Sequence, residues 1–70
     1  MIPLSFAPEG EENVIISVGG KPEVRQHLET LGFVPGGKVT VVSTINGNLI
    51  VNVKESRIAV DRTLANKIMV

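Results

Sequence analysis

The chain has 70 residues, enough for one domain over positions 1–70 and too few for two. Apolar residues make up 43% and charged residues 20%, a globular balance, and seven Lys and Arg offset seven Asp and Glu. With no cysteine and a single histidine, His27, the chain excludes disulfides, thiolate metal sites and zinc sites built from several imidazoles.

Pro3 and Pro8 bracket a short apolar turn, Leu4-Ser5-Phe6-Ala7, and Glu9-Gly10-Glu11-Glu12 reads as a solvated turn. Residues 13–18 are β-branched and end at Gly19-Gly20, which predicts a strand. Alternation along it places Val14, Ile16 and Val18 on one face and Ile15 on the other. Pro22 then suits the first turn of a helix, where its missing N–H costs nothing. Val24, Leu28 and Leu31 follow at i, i+4 and i+7 as one apolar stripe. Glu23 sits in the first turn, where the helix dipole favours negative charge. Gly32 follows the last apolar position, as a helix-ending residue with positive φ should.

Pro35-Gly36 occupies the central positions of a turn, in the order a type II turn prefers. Residues 38–45 and 48–53 read as two strands joined by Asn46-Gly47, the strongest short hairpin signal in the chain. A further turn is expected at Glu55-Ser56, with a third consecutive strand over 57–60. Asp61 can cap one helical turn reaching Leu64-Ala65, and residues 67–70 close as a last short strand. The expected fold is mostly β: about five strands in a closed or nearly closed barrel, one short helix after strand 1 and a helical turn before the last strand. Closure would remove edges that otherwise invite aggregation.

No catalytic constellation emerges from the residues. Ser5, Ser17, Ser43 and Ser56 sit in no nucleophile context, and one histidine would have to serve any such scheme. Gly36-Gly37-Lys38 opens a strand, whereas a phosphate cradle opens a helix. Gly19-Gly20-Lys21 does precede the helix, but as a weak anion site only. Glu23 and His27 stand four apart on the helix and are the only weak metal candidates, needing ligands from elsewhere. A partly packed structural histidine is the simpler reading, and no cofactor is expected. Balanced charge and only two aromatic residues, Phe6 and Phe33, argue against nucleic acid. No apolar run approaches the roughly 20 residues of a membrane span, and the first ten residues lack the pattern of a signal peptide. These features set the expectation of a cytoplasmic protein with no direct membrane insertion.

What is left is a contact surface. With Val14, Val41, Val51, Ile58 and Ile68 facing the core, alternation turns Ile15, Val42, Ile50 and Met69 outward. Together with Arg25 on the polar helix face, these are the expected partner-binding residues. Any apolar group of them left exposed would mark a partner site.

The stretch Arg25-x-x-Leu28-x-x-Leu31-Gly32-Phe33-x-Pro35-Gly36-x-x-Val39-x-Val41 resembles the central signature of the FeoA family of bacterial ferrous iron transport. Ile58-Ala59-Val60-Asp61-Arg62-x-Leu64-Ala65-x-x-Ile68-x-Val70 resembles its closing strand, short helix and final strand, and Pro8-x-Gly10 and Gly19-Gly20 fit its opening. Two turns depart from the pattern: the Asn46-Gly47 hairpin is short, and Ser56 stands where a Gly is usual. The resemblance implies an SH3-like barrel that assists the membrane transporter FeoB by protein–protein contact. It would do so by regulating the transporter's cytosolic GTP-binding domain or by stabilising a transporter complex. It transfers no metal-ligand set, so the chain is not expected to carry iron itself. Weak self-association is left open. The alternative, an SH3-like regulatory domain of an iron-dependent transcriptional repressor, would normally follow a DNA-binding region, and the start at Met1 argues for a free-standing protein.

Overall fold

A computed structural model describes residues 1–70. The chain runs through a 3₁₀ turn (Leu4–Phe6), β1 (Glu12–Val14), β2 (Ser17–Val18), α1 (Pro22–Leu31), β3 (Lys38–Ile45), β4 (Asn48–Val53), β5 (Ser56–Asp61), α2 (Arg62–Ala65) and β6 (Ile68–Met69). Its six strands form two antiparallel sheets, one ordered β1-β3-β4-β5 and the other pairing β2 with β6. The mostly β fold has the expected helix after its first strands and helical turn before its last. The two sheets share a core without joining into one continuous barrel.

The strand expected over residues 13–18 is two strands. β1 pairs with β3, Asn13 opposite Val39, whereas β2 pairs with β6, Ser17 opposite Met69. Between them Ile15 donates its N–H to the Gly37 carbonyl at 2.8 Å and accepts from Gly36 N–H at 2.8 Å. Ile16 N–H turns instead to the Met69 carbonyl at 2.7 Å. This change of partner breaks the period of two, because alternation holds only while a strand stays in one sheet. Ile15 is consequently buried at 1% exposure, and Val14 and Ile16 are exposed.

α1 starts at Pro22 with Glu23 in its first turn and no side-chain cap. It ends in a Schellman motif: Gly32 N–H reaches the Glu29 carbonyl at 3.0 Å, and Phe33 N–H reaches Leu28 at 2.9 Å. Gly32 itself has φ of 113°. Leu28 and Phe33, which this motif brings together, are both fully buried. The Pro35-Gly36 turn closes through Gly37 N–H to the Val34 carbonyl at 2.9 Å, with Gly36 at φ of 87°.

β3 and β4 join at Asn46-Gly47, both with positive φ, as a two-residue hairpin of the I′ kind requires. The next turn falls one residue earlier than expected, at Lys54-Glu55, so β5 begins at Ser56. A register shift between Val41 and Ser43 makes Val42 an extra residue in β3. Beyond this bulge the parity of β3 inverts: Thr44 lies opposite the buried Leu49, and Ile45 turns out to solvent.

Thirteen buried apolar residues form the core, drawn from both sheets, both helices and the 3₁₀ turn, and no polar or charged side chain is buried. Of the residues expected inside, Val41, Val51 and Ile68 are buried and Ile58 packs against the core at its margin. Val14 is the exception.

Candidate contact surface

Pro3 forms a bridge to Met69, and Ile2 and Val70 exchange backbone hydrogen bonds at 2.9 and 2.8 Å. The N-terminal segment therefore lies along one side of β6 while β2 lies along the other. Ile2 and Ile16 flank this last strand, at 42% and 54% exposure. Val70, at its end, packs partly against the core. Leu4 anchors the 3₁₀ turn by full burial, and Ser5 donates its hydroxyl hydrogen bond to the Asn66 side chain, tying the turn to the end of α2. Phe6 is left projecting from that anchored turn at 74% exposure. Met1 is also exposed, so four of the six large exposed apolar side chains stand on these linked segments. Val14 and Ile45 are the other two.

The expected contact residues fall differently. Ile15 is a core residue and is corrected as such: the switch between sheets turns it inward. Val42, Ile50 and Met69 are half-buried, so each contributes an edge rather than a full side chain to the surface. Arg25 is exposed on α1. Phe6, Ile2 and Ile16 were missed by the alternation argument. The signal available for Phe6 was its place as a lone aromatic in a turn bracketed by Pro3 and Pro8.

Glu23 and His27 are both exposed on α1, so His27 is not the partly packed residue expected. No third His, Cys, Asp or Glu joins them into a metal-sized cluster. The molecule has no pocket, and the ion pair of Lys38 with Glu12 at 3.9 Å is exposed. An anchored but projecting aromatic beside a flanked apolar strand suits the burial of a partner's apolar side chains.

The family model for the FeoA domain matches residues 2–70. This chain belongs to the FeoA family. A protein of Methanocaldococcus jannaschii provisionally named Fe(2+) transport protein A is 41% identical over 70 residues, covering 100% of this chain and 85% of that one. FeoA of Stenotrophomonas maltophilia, solved in complex with zinc and described as an SH3 domain protein, is 27% identical with a TM-score of 0.85. The match covers 99% of this chain and 88% of that one. FeoA of Chlorobium tepidum is 28% identical with a TM-score of 0.87, covering 97% and 67%. The fold is thus SH3-like. A manganese-dependent transcriptional repressor shares the fold alone, at 13% identity and a TM-score of 0.85 over 38% of its chain.

In this FeoA chain the signature residues serve the fold. Leu28 and Ala65 are fully buried, Leu31 packs at the core margin, and Gly32, Pro35 and Gly36 shape the two turns after α1. Of the signature, Arg25 and Arg62 both offer exposed charged side chains at positions with no packing duty.

Proposed function

We propose that this chain is a non-catalytic accessory protein of ferrous iron uptake, one FeoA-like unit that works in the cytoplasm. It acts by touching the cytosolic GTP-binding domain of a FeoB-type transporter, so regulating it or stabilising the transporter complex. Membership of the FeoA family across residues 2–70 carries this reading. The exposed apolar side chains Phe6, Ile2 and Ile16, together with Arg25 on α1, are the part of the molecule proposed to meet the transporter. No iron site is assigned to the chain, because Glu23 and His27 alone supply too few ligands.

Titration of isotope-labelled protein with the transporter's GTP-binding domain, first with GDP and then with a GTP analogue, tests the contact. Amide shifts should cluster on the 3₁₀ turn, β2 and β6, with a second group at Arg25. Shifts absent in both nucleotide states would refute it. Fe²⁺ titration of the isolated protein should give no saturable site tighter than micromolar, and stoichiometric tight binding lost in His27→Ala would overturn the assignment.

A further inference from the structure

β5 ends the four-stranded sheet, with β4 on one side and no strand on the other. The two-residue loop Lys54-Glu55 decides which of its backbone groups are free. In such a hairpin the flanking residues Val53 and Ser56 exchange hydrogen bonds, and the pattern repeats at every second residue. Ser56, Ile58 and Val60 therefore aim their N–H and C=O groups at β4, while Arg57 and Ala59 aim both of theirs, and Asp61 its N–H, off the edge; the Asp61 carbonyl belongs to the first turn of α2. Among the backbone bonds made outside helices and strands, none involves these three residues. Their side chains share the solvent face: all three are exposed, whereas Val60 is buried and Ile58 half-buried.

We propose that β5 is a self-recognition edge, at which two copies of this chain pair antiparallel β5 strands about a two-fold axis at Ala59. Such pairing uses only registers in which outward-aimed residues meet. With Ala59 opposite Ala59 of the second copy, Arg57 faces Asp61 on both sides of the axis, giving two opposite-charge cross-strand pairs. Centring the axis on Arg57 or on Asp61 sets like charges face to face. Centring it on Ile58 puts Arg57 opposite Ala59 and loses both pairs. The sequence of the edge is thus complementary to itself in one register.

Three further observations favour a second copy as the occupant. β5 has no proline, lysine or bulge, three of the devices that protect free edges from pairing, and its two charges, Arg57 and Asp61, are of opposite sign. The chain's formal net charge is zero, so two copies bring no net repulsion. Asp61 also has capacity to spare: one carboxylate oxygen accepts from Leu64 N–H at 2.8 Å, and the other is free to meet an arginine. Arg57 uses Nε on Asn52 Oδ1 at 3.2 Å, which leaves its terminal nitrogens for the second copy. A strand of six residues is about 20 Å long. One strand pair of that length buries less than a standard interface, so association is weak and concentration-dependent.

Because the chain has no cysteine, a single engineered thiol reports the register directly. Opposed residues in a hydrogen-bonded pair have Cα atoms about 5.5 Å apart, within the span of a disulfide. Ala59→Cys should therefore give a disulfide-linked dimer under mild oxidation. Arg57→Cys should stay monomeric, since its symmetry mate lies about 13 Å away along the strand. Without substitutions, amide shifts on raising protein concentration should centre on Arg57, Ala59 and Asp61. Sedimentation equilibrium should show self-association weakened by salt, by Arg57→Glu, and by Asp61→Asn, which keeps the α2 cap. Equal cross-linking of the two cysteine variants, or no concentration-dependent shift on β5, overturns the proposal. Shifts on β5 that appear only when the transporter's cytosolic domain is added would assign the edge to the transporter and overturn it as well.

Discussion

Gly32 is the residue on which α1 turns toward β3. Its φ of 113° lies in the region that side chains rarely adopt, and an added Cβ would stand 3.3 Å from the Lys54 side chain. Gly32→Val should cost about 1–3 kcal/mol from backbone strain. Loss of the Schellman bonds that bring Leu28 and Phe33 together would add to it. Thermal unfolding followed by circular dichroism measures the loss, and an unchanged midpoint would contradict the assignment. This position was legible in the sequence because a helix cap is local: an apolar stripe ends, and Gly follows. The Asp61 cap was legible for the same reason, and its bond to Leu64 N–H is present. Ile15 was not legible. Whether it faces in or out depends on which strand its neighbours pair with, and those partners are about 25 and 50 positions away.

Hairpins show the same division at the scale of elements. Asn46-Gly47 has a composition that matches its two positive φ values, and the strands on either side were placed correctly from it. Lys54-Glu55 adopts the same kind of turn, φ of 49° and 64°, with two residues that have no preference for it. The expected turn slipped by one residue there because nothing local marked the bend. That mismatch is correctable. Glu55→Gly should relieve the left-handed strain and stabilise the protein by about 0.5–1 kcal/mol, net of glycine's added freedom in the unfolded chain. Urea unfolding midpoints compare the two proteins, and a fall in stability would show that the Glu55 side chain holds the turn. The bulge at Val42 belongs to the same scale: simple alternation counts through it and so assigns Ile45 to the wrong face.

At the scale of the whole molecule, the two phenylalanines stand in opposite settings, one in the core and one on the surface proposed for contact. Phe33 is fully buried and is the largest of the fully buried side chains. Phe6 stands out from an anchored turn at 74% exposure. A 70-residue chain has a thin core, and its total stability belongs toward the low end of about 5–15 kcal/mol. Phe33→Ala, costing about 3–5 kcal/mol, should therefore leave a largely unfolded protein. Phe6→Ala buries nothing less and should change stability by no more than about 0.5 kcal/mol. It should nonetheless weaken binding to the transporter's GTP-binding domain by about fivefold or more, as loss of an aromatic contact worth over 1 kcal/mol does. With no Tyr or Trp in the chain, circular dichroism is the stability probe and calorimetry the binding probe. A stable Phe33→Ala variant would mean that the core tolerates a cavity this fold should not. A Phe6→Ala variant that binds unchanged would move the contact away from the N-terminal surface, toward Arg25 and the polar face of α1.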